Sequence, residues 1–250
     1  KMNSIGEGNI RAIHHAIDYA ETHNYNGVVI ANEGPNFSVG ANIMLMLMWA
    51  SQKQWDQLDE GVRAFQNTSM RIRTSSVPVV LAPHGMTLGG GCEFTLHSDV
   101  AVLSAETYIG LVEVGVGLIP GGGGTKEFAL RAADDYSKPG GIGINILQDY
   151  VMNIAMAKVA TSAEEARKLH ILRPTDKVVM NLHRRIKEAK ETVLTLAEEG
   201  YTAPVPRTDI PVLGKNALAT LYAGISGLEY GHYASEHDAR IAREIAYVVC

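Results

Sequence analysis

The chain has 250 residues and a mass of 27.0 kDa, room for one α/β domain or two small ones. Hydrophobic residues make up 46% and charged residues 20%, an ordinary globular composition that argues against disorder. Lys+Arg is 22 against 27 Asp+Glu, and the net charge of -5 leaves no electrostatic footprint for nucleic acid. The longest apolar run, 41–50, is about half of the roughly 20 residues a membrane span needs, so no membrane span is expected. Two cysteines, Cys92 and Cys250, make no disulfide framework, and no basic-then-apolar leader opens the chain. The expected location is cytoplasmic. Lys1-Met2-Asn3 at one end and Val248-Val249-Cys250 at the other interrupt a pattern, so an excised piece of a longer polypeptide is expected.

Along the chain, Ile10, Ile13, His14, Ile17 and Ala20 recur at helical spacing and predict an amphipathic helix over 6–23. Residues 27–31 read as a short buried strand, and 32–40 as a loop with Gly34-Pro35 as its turn signal. Trp55, Leu58, Val62, Phe65 and Met70 continue a helical pattern to about Thr74; 77–82 and 100–103 are the next strands. Strands apolar on both faces that alternate with helices imply parallel pairing and an α/β architecture. Of 25 glycines, a dense group lies between Gly85 and Gly143, and this marks the middle of the chain as the place for a site. After about Lys177 the character changes. Helices are predicted over 178–200, 213–229 and 233–249, the last opening near Ser235 with Asp238 in a loose capping-box pattern.

Several familiar sites are absent. Gly121 to Lys126 lacks the Gly-Lys-Ser/Thr of a phosphate loop, and Gly115/Gly117 lacks the third glycine of a dinucleotide fingerprint. Asn36 replaces the glycine a nucleophile elbow around Ser38 requires. His232 and His237 have no zinc-site spacing and read as surface or helix-face residues, so no metal site is expected. Cys92 reads as a small core thiol. What remains is Leu88-Gly89-Gly90-Gly91-Cys92-Glu93, where three glycines between a strand and a helix let backbone N–H groups converge on a ligand oxygen. A tight packing turn with a helix-start glutamate is the plainer alternative. Further on, Glu113 is the one carboxylate in the apolar stretch 110–120; burial there would raise its pKa, whereas an exposed loop position would leave it ordinary. Two glutamates in unlike surroundings suit a divided acid–base task.

Three motifs in this order are informative together: Phe37-Ser38-Val39-Gly40-Ala41-Asn42-Ile43; His84-Gly85 with Leu88 to Glu93; and Glu113 with Pro120-Gly121 and Gly123-Gly124-Thr125. The chain resembles the crotonase (enoyl-CoA hydratase/isomerase) family over most of 1–132, and again at Ala160 to Ala166. The resemblance implies a crotonase-like spiral of repeated ββα units over 1–177 that carries an acyl-CoA site, and a helical C-terminal region over 178–250. Glu93 and Glu113 are 20 residues apart, which by this resemblance is the interval typical of members with both hydratase glutamates. The implied reaction is enoyl-CoA hydration in fatty acid β-oxidation. Δ3,Δ2-enoyl-CoA isomerisation or another crotonase reaction, and acyl-CoA binding without turnover, are the alternatives.

By the same resemblance the Ala41 and Gly90 amides form an oxyanion hole, and Glu93 and Glu113 are catalytic. Met2, Ser38, Gly40, Asn42, Ile43 and Gly89 bind substrate, with 40–43 bordering the nucleotide and pantetheine path. No cofactor is implied, because coenzyme A enters as part of the acyl-CoA thioester substrate. Met44, Met46 and Met48 suit either an acyl-tunnel lining or an ordinary helix core. The implied partners are further copies, as a homo-oligomer of the trimer type, and a 3-hydroxyacyl-CoA dehydrogenase portion fused in the full-length protein. Asn42, Val112 and Pro83 depart from the family pattern, 133–150 reads as an insertion, and the family's first strand is missing ahead of Lys1.

Overall fold

Helix-period and strand-like segments alternate as expected. The computed structural model describes residues 2–250. In chain order it runs α1 (Glu7–Thr22), β1 (Val28–Ile30), α2 (Ile43–Ser51), α3 (Trp55–Arg73), β2 (Val79–Leu81), β3 (Met86–Leu88) and α4 (Gly90–His97). It continues through β4 (Val100–Ser104), β5 (Tyr108–Gly110), a 3-10 turn (Glu113–Val116), α5 (Gly124–Tyr136), α6 (Gly143–Ala155) and α7 (Ala163–Lys168). β6 (Lys177–Val179), a second 3-10 turn (Leu182–Arg184), α8 (Arg185–Glu198), α9 (Gly214–Tyr230) and α10 (Glu236–Val249) complete it. Among the described residues no helix is long and apolar enough to cross a membrane.

The chain forms two compact units: residues up to Gly110 with Val159–Pro206, and Leu111–Lys158 with Arg207–Cys250. The sequence places its change of character at 177/178, but 178–206 packs with the strands. The reason is α8, whose Ala189 and Val193 cover Val80, Ala82, Val100 and Val102.

In the first unit a parallel sheet has the order β1-β2-β4-β6. The side-chain period of two splits β2 between two cores. Val79 and Leu81 join Ile17, Ile72 and Phe94, from α1, α3 and α4, on one face. Val80 faces α8 on the other. β2 is wholly buried because it has a neighbour on each side. β1, expected to be buried, is only half-buried because it is an edge strand paired with β2 alone. β3 and β5 form a second parallel layer, widened by single bridges Ser38↔Thr87 and Ile109↔Ala160. Successive strands thus alternate between layers, β2 then β3 before α4, which is the ββα repeat of the expected spiral. The helix predicted from 178 begins later: 177–179 pairs with β4, and Asn181 caps the following turn.

The second unit is helical. α10 packs on α5, α6 and α9, and its first turn carries the expected capping box between Ser235 and Asp238. Of the apolar positions at helical spacing in α9 and α10, Leu221, Ile225, Ile241 and Ile245 are buried within the folded chain, Leu218 and Leu228 are half-buried, and Val248 is exposed. The 133–150 stretch is the end of α5 and the start of α6, anchored where Phe128 and Tyr150 meet edge to face at 5.4 Å.

Candidate active site

The glycine-rich turn after β3 positions the first set of candidate residues. Gly89 has φ 53 and ψ −122, a conformation that essentially only glycine adopts, and it redirects the chain so that α4 begins at Gly90. A side chain at Gly40 would place its Cβ 2.8 Å from the Gly90 nitrogen, and one at Gly91 would lie 2.8 Å from the Ser38 carbonyl. Glycine at these positions lets two stretches of backbone touch.

Hydrogen bonds hold those stretches in register. Phe37 N donates to His84 O at 2.9 Å, Ser38 N to Met86 O at 3.1 Å, and Leu88 N to Ser38 O at 2.8 Å. Gly40 N donates to the buried Ser38 Oγ at 3.1 Å, and Ile5 N donates to Gly40 O at 2.8 Å. Among the described residues the amides of Ala41 and Gly90 have no protein acceptor. Gly90 opens α4, where helix geometry leaves the first N–H groups unsatisfied and the dipole is positive. Adjacent backbone segments therefore present two N–H donors.

Glu93 sits on the first turn of the same helix, with its residue only 3% exposed. Its amide donates to Gly89 O at 2.9 Å, and the His97 Nδ1 lies 2.7 Å from its carbonyl oxygen. The helix that carries it is buried along its whole length. Met2 is exposed, and the neighbouring Asn3 donates to Phe37 O at 3.0 Å. Asn42 occupies the N-cap of α2 without a side-chain cap bond, and Ile43 begins that helix half exposed. The ordinary-core alternative for Met44, Met46 and Met48 does not hold, since α2 has no buried residue.

Glu113 is carried by the second unit, where it opens the 3-10 turn and is half-buried. Leu118 N donates to its carbonyl at 3.0 Å, and Gly117 closes the turn at φ 82. The stretch is less enclosed than its apolar sequence suggests: Leu111 and Val114 are buried, while Val116, Leu118 and Ile119 are exposed. His237, read from sequence as a surface or helix-face residue, brings Nε2 to 3.3 Å from Gly117 O.

Sequence reasoning missed the asparagines. Asn32 Nδ2 donates to Phe37 O at 3.0 Å, and Asn36 Oδ1 accepts from Met86 N at 2.9 Å. The available signal was the loop itself, since asparagine side chains substitute for backbone partners in turns. His84 also belongs here: its Nε2 lies 2.6 Å from Gly34 O, and burial pushes its pKa down. Among the described residues no group of His, Cys, Asp and Glu is arranged to hold a metal.

A family described as enoyl-CoA hydratase/isomerase matches residues 1–135. A probable 3-hydroxyacyl-CoA dehydrogenase of Bacillus subtilis is 41% identical over 249 residues, all of this chain and 31% of that protein. A putative fatty acid oxidation complex trifunctional enzyme of Rickettsia felis is 36% identical over 138 residues, 55% of this chain and 19% of that protein. The chain thus spans a third or less of the curated relatives it matches. The crystal structure of an enoyl-CoA hydratase from Bacillus anthracis has the same fold, with a TM-score of 0.62 at 22% identity, over 99% of this chain and 82% of that one. With more than half of its length matched, the chain belongs to the enoyl-CoA hydratase/isomerase family, and its fold is the crotonase fold.

Proposed function

We propose that the chain is an enoyl-CoA hydratase, adding water across the C2–C3 double bond of 2-enoyl-CoA thioesters in fatty acid β-oxidation. The observation that carries this reading is the pair of unengaged amides, Ala41 and Gly90, held beside each other by the 38–40 and 89–91 contact. As water attacks C3, the thioester carbonyl gains negative charge, and two preorganised N–H donors stabilise it. Glu93, on the helix that carries Gly90, takes a proton from the water as its oxygen bonds to C3. Glu113 starts protonated and delivers its proton to C2; the proton left on Glu93 is then exchanged to Glu113, which restores both groups for the next turnover. Coenzyme A enters as part of the substrate, with Ser38, Gly40, Asn42, Ile43, Gly89 and Met2 along its path, and the reaction as proposed uses no other cofactor.

The exposed apolar face of α2, including Met44 and Met48, supports a role in holding the acyl chain. The partial coverage of the Bacillus relative supports a longer, fused polypeptide with a 3-hydroxyacyl-CoA dehydrogenase portion. Exposed Tyr230, Tyr233, Tyr247 and Val248 support self-association into trimers, which light scattering over a dilution series tests. The activity test is incubation of the purified chain with crotonyl-CoA, read by loss of enoyl-thioester absorbance and a mass gain of one water. Conversion of a 3-enoyl-CoA without hydration of crotonyl-CoA would replace hydratase by isomerase.

A further inference from the structure

Arg185, on the first turn of α8, is 3% exposed. Nη2 donates to the Asn32 carbonyl at 2.7 Å and Nη1 to the Leu182 carbonyl at 3.3 Å. Among the described residues Nε has no hydrogen-bond partner and no carboxylate forms an ion pair with the guanidinium. Burial pushes its pKa down, and only the exposed Glu33 acts against this. An apolar side chain would fill such a place at less cost than an unpaired cation. What the arginine supplies is a donor for Asn32.

Asn32 begins the segment that ends at Ala41. Its side chain accepts from Gly34 N at 2.9 Å and donates to Phe37 O at 3.0 Å. From Phe37 onward the bonds to His84, Met86 and Leu88 carry the register to Gly40. We infer that Arg185 is a positioning residue: by holding the Asn32 carbonyl it fixes the start of the 32–41 segment and thereby the Ala41 amide relative to Gly90. This rests on the reading of those amides as the oxyanion donors.

The test uses the purified chain and Arg185→Met, which keeps length but removes every donor, with Arg185→Lys as the conservative variant. Arg185→Met should lower kcat on crotonyl-CoA by about 10- to 100-fold with KM little changed, and Arg185→Lys should recover part of the loss. Amide exchange over 33–41 should quicken while β2 and β4 keep their protection. If Arg185→Met does not fold, Asn32→Ala cuts the same relay one step later and should show the same kcat loss and local exchange. Unchanged kcat and unchanged 33–41 exchange in folded variants would overturn the inference. So would exchange raised equally everywhere, which marks a merely structural role. A wild-type chain without turnover would defeat the hydratase reading alone, and the exchange measurement would then decide Arg185's role by itself.

Discussion

The two turns that carry the candidate glutamates are built to different tolerances. The 38–41 and 89–93 region is glycine-tight, buried and tied by hydrogen bonds from three directions. The Glu113 turn is half open, closed by its own 3-10 bonds, a left-handed Gly117 and one ring contact from His237. The difference follows from what each presents. Backbone N–H groups have no rotamers with which to adjust, so their donors must be fixed by the fold itself. A glutamate on a turn has three side-chain torsions with which to find a proton acceptor, and looser backbone suffices.

Substitutions sharpen this contrast. Gly90→Pro should have the largest effect: it removes an amide whose loss alone costs about 10²–10³ in rate, and it forces a ring toward Phe65, so turnover should fall below detection. A folded variant, checked by circular dichroism and acyl-CoA binding, that still hydrates crotonyl-CoA would place the donors elsewhere. Glu113→Gln, which keeps the size of the side chain, should lower hydration by about 10²–10⁴ and leave the fold intact, as circular dichroism would check. Near-normal turnover there would reject Glu113 as proton donor to C2. His237→Ala should cost only a few-fold in kcat, because a single exposed contact of 3.3 Å contributes about 1 kcal/mol. A loss as large as that of Glu113→Gln would show that the turn is as tightly set as the glycine region.

The smallest effect concerns stability rather than turnover. On α1, Glu21 accepts from Arg71 and from Ser76 N, which holds its carboxyl pKa at about 2 rather than 4.5. A depressed acid adds stability above its unfolded pKa and loses it as pH falls. Melting temperature should therefore drop between about pH 4.5 and 2, and Glu21→Gln should flatten that drop while costing roughly 1–2 kcal/mol at neutral pH. An unchanged acid limb in the variant would remove Glu21 from the account.

Much of the fold was legible because its signals are local. The period of Ile10 to Ala20, the apolar runs of β2 and β4 and the Ser235/Asp238 box each specify an element without help from the rest. The three-residue strands β5 and β6 were not legible, because each is set by its parallel neighbour rather than by its own pattern. Glycine clustering pointed to the 89–93 turn, but the partner of Gly40 is a contact across 50 residues of sequence that no spacing reveals. Arg185 was invisible for the same reason: a basic residue at the start of a helix reads as solvated, and only burial shows that it is not.

The most direct test of the central claim is hydration of crotonyl-CoA in ¹⁸O-labelled water by the wild-type chain and by Glu93→Gln. The wild type should place ¹⁸O at C3, and a variant that still folds and binds the thioester should incorporate it at least about a hundredfold more slowly, the low end for loss of a general base. Equal incorporation by both would contradict that claim.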